Sequence, residues 1–153
     1  MCLVIDFLIG IFNRGVLKMP GTPLKKASLE GISRKFFQIK GFTTREKVRL
    51  RGKSGQNHDF NMLLSQSEDK ERNAGNSEDI GYGVLIKDWK RSIGVNVIIK
   101  FDQMIEDSGL EGGIIVGNDF SANAQNFAKK CGIVSYSRGE LVSLLRSMNI
   151  EDL

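Results

Sequence analysis

Histidine and cysteine are almost absent from this chain: one histidine and two cysteines in 153 residues. Cys2 and Cys131 lie far apart, and neither has a CxxC or CxxH companion. That argues against a disulfide framework and against a zinc site, and it fits a reducing, cytoplasmic setting. Long apolar runs are also missing. The first twelve residues, Met1 to Phe12, are mostly apolar but too few to span a bilayer as a helix. Asp6 interrupts them and no basic segment precedes them, so a secretory leader is a poor reading and no membrane partner is expected. Neither GxGxxG nor GxxxxGK[ST] occurs, which removes the usual nucleotide-binding fingerprints. There are no internal repeats.

What is present is an ordinary globular composition, 41% hydrophobic and 26% charged, in a length that suits one domain with a genuine core. The net charge is +4, and its distribution says more. From Leu24 to Lys53 ten lysines and arginines face only Glu30 and Glu46, a local balance of +8. A basic half of this kind suits a phosphate backbone; a solvated face without a partner is the alternative. Residues 1–23 read as an N-terminal extension, either a buried extra segment or a stretch before a true start at Met19. Residues 24–153 read as one domain.

Both prolines fall in Pro20-Gly21-Thr22-Pro23, where Thr22 and Pro23 can cap and open a helix. Leu24, Leu29, Ile32, Phe36, Phe37 and Ile39 recur near helical spacing, and Gly41 closes the segment. Thr43 to Arg51 alternates weakly as a strand, and Gly52-Lys53-Ser54-Gly55 is a turn. His58 to Ser65 is a second strand, with Phe60, Met62 and Leu64 on one face and Asp59 and Asn61 on the other. Gln66 to Asp79 reads as an exposed loop and Ile80 to Lys90 as a third strand. Val95 to Asp107 fits a helix opened after Gly94, although its β-branched residues also suit a strand. Gly112 to Gly117 is a buried strand, and Ser121 to Lys130 a helix capped by Asp119 or Ser121. Ile133 to Tyr136 is a short strand and Arg138 to Met148 a last helix. The order α-β-β-β-α-β-α-β-α suggests an α/β fold: a mixed sheet with helices on both faces.

Several residues invite a chemical role. Glu30 is an acid in a basic, apolar helix, where it can help hold a metal or pair with Arg34 one turn on. Asp59 is a strand acid that is either a ligand or an inert, solvent-facing residue. His58, on the opposite face, suits packing or the surface better than general-base work. Lys87 follows an apolar run, on the strand face of Leu85. Trp89, Lys90 and Arg91 combine an aromatic ring with cations, suited to stacking and phosphate contact. Asp88 and Lys90 spell D-x-K by themselves, a common tripeptide. Gly117-Asn118-Asp119-Phe120-Ser121 joins a strand to a helix whose free amides, with Ser121, can attract phosphate; a plain capped turn is the alternative.

Together these pieces resemble the Mrr-type branch of the PD-(D/E)xK restriction-endonuclease-like superfamily, over about Leu24 to Leu145. The resemblance rests on the helix bearing Glu30 and ending at Gly41-Phe42, and on the Gly52-x-Ser54-Gly55 turn leading to His58-Asp59. Its most specific parts are Lys87-Asp88-Trp89-Lys90-Arg91, which is similar to the tail of the family's E-x-K-(D/N)-W strand, and Gly117-x-x-Phe120-Ser121-x-x-Ala124, similar to its G-x-F-(S/T)-x-x-A helix start. The resemblance implies a restriction-endonuclease-like mixed sheet flanked by helices and a DNA endonuclease, of restriction or repair type, that uses Mg2+ or Mn2+. By position it implies Asp59 as central metal ligand, Glu30 as accessory acid and Lys87 as catalytic lysine, with Asp88 and Lys90 as a shifted alternative pair. Arg49, Arg51, Lys53, Trp89, Lys90, Arg91 and Ser121 are then the expected DNA contacts. One departure stands out. The family's second strand acid, sometimes glutamine, belongs two residues before the lysine, and Leu85 stands there. Leucine neither ligates a cation nor accepts a proton, and hard divalent ions want several oxygen ligands. A DNA-binding module that keeps the fold without cutting is therefore the second expectation, and a protein-binding regulator the third. Nucleases that cut both strands often dimerise, which by analogy suggests a homodimer.

Overall fold

The computed structural model describes residues 27–66 and 81–150. The N-terminal extension, the prolines, Lys25, Lys26 and the polar stretch after Gln66 lie outside those residues. The elements run α1 (Leu29–Ile39), β1 (Phe42–Arg51), β2 (Asn57–Gln66), β3 (Tyr82–Lys87), α2 (Val95–Ser108), β4 (Gly112–Gly117), α3 (Ala122–Cys131), β5 (Val134–Ser137) and α4 (Arg138–Ile150). This is the expected order. The strands form one sheet in the order β1-β2-β3-β4-β5. β1, β2 and β3 are antiparallel neighbours; β3, β4 and β5 run parallel. Among the described residues no helix is long and apolar enough to cross a membrane.

Each face of the sheet carries its own core. On one, Leu29, Ile32, Phe36 and Phe37 of α1 and Leu141 and Leu145 of α4 bury Met62, Leu64, Val84, Ile114 and Val116. On the other, Ile98, Phe101 and Ile105 of α2 and Ala124 and Ala128 of α3 bury Phe60, Leu63 and Ile115. The apolar run in β4 is thus explained by burial on both faces, the usual state of a parallel strand. A fully buried side chain of this size stabilises by roughly 1.5–3 kcal/mol. Gly113 lets α2 press against the sheet, because a Cβ there would lie 2.7 Å from the Phe101 ring.

Two boundaries differ from the sequence expectation, and one choice between two caps is settled. Helix α1 opens at Ser28, not at Thr22-Pro23: the Ser28 side chain accepts from the Gly31 amide at 3.1 Å, while Ala27 and Ser28 themselves are non-helical. A side-chain cap ends the competition for the first free amides, and Ser28 supplies it closer to the apolar stripe. The third strand begins at Tyr82 and stops at Lys87, because its parallel partner ends at Gly117. Of the two candidate caps for α3, Ser121 is used, accepting from the Ala124 amide at 3.2 Å; Asp119 instead accepts a hydrogen bond from the Ser92 hydroxyl.

The larger difference is in the hairpin. Phe60 does not share a face with Met62 and Leu64; it belongs to the opposite core. The β1–β2 register is continuous on either side of Lys47, with Glu46 opposite Met62 and Val48 opposite Phe60. Lys47 itself takes a φ of 50°, in the left-handed region that a lysine seldom adopts. Both strands therefore turn over together at Lys47 and Asn61. Beyond that point His58 and Phe60 face α2, and Asp59 alternates to the other side. The adjoining β2–β3 ladder ends at Met62 and Val84, so the two strands fork. Past the fork the Asn61 Oδ1 accepts from the Ile86 backbone amide at 2.8 Å, a side chain standing in for a backbone rung.

Candidate active site

The fork opens into a cavity of about 550 Å3 between the ends of β2 and β3 and the helix α2. Lys87, Leu85 and Trp89 line it, α2 contributes Asn96 and Lys100, and Asp59 borders it at the hairpin end with its carboxylate on the opposite face of β2. Asp59 is the only carboxylate among the lining residues. Leu85 packs against the core cluster that holds Phe101 and lines the cavity with Phe101 and Met104 of α2, where the family pattern would put an acid.

The two central residues are brought to one cavity without bonding to each other. The Asp59 carboxylate is turned to β1, where Arg49 stands directly opposite in the ladder. Arg49 Nε donates to Asp59 Oδ1 at 2.6 Å and Nη2 donates to Oδ2 at 3.0 Å. The pair is exposed, at 67% and 68% of the two side chains. The guanidinium's hydrogen bond holds the Asp59 carboxyl below its usual range and in turn raises Arg49. Lys87 extends over the Trp89 ring, its Nζ 5.2 Å from the centroid, and Arg91 covers the same ring at 4.8 Å. Two cations on one indole make a positively charged aromatic platform at the cavity mouth. Lys90, Arg51 and Lys53 are exposed, and Ser121 spends its oxygen on the α3 cap.

Glu30 lies in the first turn of α1, half-buried, and does not line the cavity. The expected pair between Glu30 and Arg34 is not formed. Arg34 pairs with Glu46 on β1 instead, since the turnover at Lys47 leaves Glu46 on the α1 face. Asp88 turns away from the cavity, as alternation requires: Asn118 Nδ2 donates to it at 2.7 Å and to the Trp89 carbonyl at 2.9 Å. Arg138 then donates to Asn118 Oδ1 at 3.0 Å and to the Ala27 carbonyl at 3.1 Å, tying the start of α1 to the ends of β3 and β4.

The hairpin end is held from its other face by Asp107, at the end of α2. Its carboxylate accepts from the Ser54 amide at 2.8 Å and the Ser54 hydroxyl at 2.6 Å, and lies 2.6 Å from His58 Nε2. The Asp107 carbonyl accepts from the Lys53 amide at 2.9 Å. These bonds, the Ser54 hydroxyl first and His58 next, pull the Asp107 carboxyl down to about 2. Gly52 is needed here, because a Cβ would lie 1.8 Å from Asp107 Oδ2. His58 is thus a packed residue with an acid partner. Sequence reasoning missed Asp107, Asn118, Asn96 and Lys100. Asp107 reaches Ser54 across 53 positions, and Asn118 reaches Asp88 and Trp89 across 30 and 29, which no local pattern marks. The Arg49–Asp59 pairing was within reach, since a hairpin centred near Ser54 sets those residues opposite each other.

A divalent cation can be tested against this donor set. Among the described residues no group of three or more His, Cys, Asp or Glu side chains gathers as a ready metal site. Magnesium, however, keeps several waters and takes one or two carboxylates together with substrate phosphate. One exposed carboxylate, Asp59, completed by waters and a phosphate group, meets that requirement, with Asn57 among the same lining residues.

The Mrr_cat family model, described as restriction endonuclease, matches residues 23–145, and the chain belongs to that family. No curated protein matches the chain in sequence. Among solved structures, the fold is similar to that of a protein of unknown function, at 16% identity over 69% of this chain and 54% of that one, with a TM-score of 0.57. A repair endonuclease from Pyrococcus abyssi aligns over 73% of this chain and 47% of its own, at 13% identity and a TM-score of 0.47. EndoMS in its apo form aligns over 73% and 46%, at 13% identity and 0.42. The chain spans about half the length of these structures.

Proposed function

We propose that this member of the restriction endonuclease family is a DNA endonuclease that hydrolyses phosphodiester bonds with Mg2+ or Mn2+, residues 24–153 forming its one domain. The observation that carries the reading is the cavity at the strand fork, bordered by both Asp59 and Lys87. Asp59 is the residue to hold the cation, and Glu30, outside the cavity lining, is not among its ligands. A bound divalent ion supplies Lewis-acid polarisation of the phosphoryl oxygen and a water of lowered pKa. Lys87 places its ammonium where negative charge grows on the phosphoryl oxygens, and Trp89 fixes the stem that carries it. Arg51, Lys53, Lys90, Arg91 and the Ser121 turn track the backbone, positioning the duplex without reading its sequence. The reading also places the protein in the cytoplasm, where separated cysteines stay reduced, and as a homodimer if both strands are cut.

A second reading, a DNA-binding module that does not cut, draws on Leu85 in the acid's place and on the engagement of Asp59 by Arg49. Nicking of supercoiled plasmid in Mg2+ or Mn2+ separates the two. The nuclease reading expects cleavage by the native chain and at least hundred-fold less, on the order of a lost general acid–base or electrostatic group, from Asp59→Ala and Lys87→Ala. Absence of cleavage by all three, with salt-sensitive DNA binding retained, selects the binding module.

A further inference from the structure

The nuclease reading leaves one feature without a role: both oxygens of the carboxylate assigned to the cation are already occupied by a guanidinium. We propose that Arg49 guards Asp59 and gives it up to the cation only when a DNA phosphate takes the guanidinium, so that metal and DNA bind cooperatively. This rests on the metal-dependent reading and deepens it.

The chemistry of exchange is favourable at each step. A guanidinium beside the carboxylate repels a divalent cation and takes one lone pair on each of the two oxygens. An arginine fork matches phosphate oxygens as well as it matches a carboxylate, with two parallel hydrogen bonds to either. The pair is two-thirds exposed, so water and salt screen it and little holds it closed. Arg49 projects from β1 directly across the ladder from Asp59, within the basic segment that runs to Lys53, so a phosphate drawn to that segment arrives beside the guanidinium. Charge follows the same logic. Without DNA a cation would meet a neutral ion pair; with DNA it meets a free carboxylate and a phosphate whose own charge Arg49 has balanced. Cation binding beside a site with one protein carboxylate is then confined to the moment when substrate phosphate is present to complete the ligand set.

Linkage makes this reciprocal: if DNA raises the affinity for cation, cation raises the affinity for DNA by the same factor. The test is Mn2+ binding to the full chain, followed by the electron paramagnetic resonance signal of free Mn2+, with and without a short duplex. Asp59→Asn is the reference that removes counterion uptake by the DNA. Without DNA, Arg49→Ala is expected to bind Mn2+ roughly five-fold more tightly than the native chain, the scale of an exposed ion pair. Adding duplex is expected to tighten Mn2+ binding to both proteins, because phosphate completes the ligand set, and to tighten it roughly five-fold more for the native chain than for Arg49→Ala. Arg49→Lys, which keeps the charge without the fork, is expected to fall between. Equal Mn2+ affinity of the native chain and Arg49→Ala in the absence of DNA overturns the guard while leaving the nuclease reading in place. No Asp59-dependent Mn2+ binding by either protein, even with duplex, overturns the metal-dependent reading and the guard together.

Discussion

The two faces of the β1–β2 hairpin end each carry an aspartate, and the two are held in opposite ways. On the α2 face, Asp107 is one-fifth exposed, accepts from a backbone amide and a hydroxyl and meets a histidine, and bridges a helix to a turn more than 50 residues away in sequence. On the other face, Asp59 is two-thirds exposed and has a single partner, Arg49, from the neighbouring strand. The first arrangement fixes the hairpin to the body of the protein; the second adds little rigidity, because an exposed pair loses most of its energy to water. The lesson is that a well-formed bidentate ion pair and a dense hydrogen-bonded clasp serve different ends even when they sit one residue apart. The clasp sets where the hairpin lies, and the pair is left free to change partner.

The comparison breaks most severely if the surface that carries the clasp is removed. Phe101 is fully buried between α2 and the sheet, so Phe101→Ala is expected to cost about 3–5 kcal/mol in urea unfolding. The clasp itself gives the next effect. Its carboxyl titrates near 2 in the fold and near 3.8 when unfolded, so its contribution is fully present above about pH 4 and is lost as pH falls towards 2. Asp107→Asn is therefore expected to lower the melting temperature at neutral pH and to remove that part of the acid dependence, which melting curves from pH 7 to pH 2 report. A variant that melts like the native chain at pH 7 would place the clasp on the same footing as the ion pair. The smallest effect belongs to Arg49→Ala, expected to leave the melting temperature within about one degree. A drop like that of Asp107→Asn would make Arg49 a structural anchor and erase the contrast.

The order of elements was legible because each carries its own period: Leu29, Ile32 and Phe36 spaced for a helix, Ile114 to Val116 a short run bounded by glycines, Val95 to Ser108 settled as a helix by Ile98, Phe101 and Ile105. The positions Asp59, Lys87 and Leu85 were readable from a motif, and their convergence on one cavity follows from adjacent strands. What sequence could not give was orientation. The turnover at Lys47 moves Phe60 to the other core, and lysine is not a residue whose presence signals a positive φ. Counting alternate positions from Met62 back to Phe60 therefore fails although every strand is present. Asp107 escaped for another reason: at the polar end of an amphipathic helix it looks like any solvated acid, and its partners are separated from it by 49 and 53 positions.

The fork between β2 and β3 has a consequence for solubility. Parting two strands inside a sheet exposes two rows of backbone donors and acceptors, the surface on which foreign strands nucleate aggregates. Here the Asn61 amide occupies the rung just past the split by accepting from Ile86, so the opening begins with a satisfied group rather than a bare one. The cleft can thus stay open while its first rung offers a stray peptide no bare backbone group to pair with.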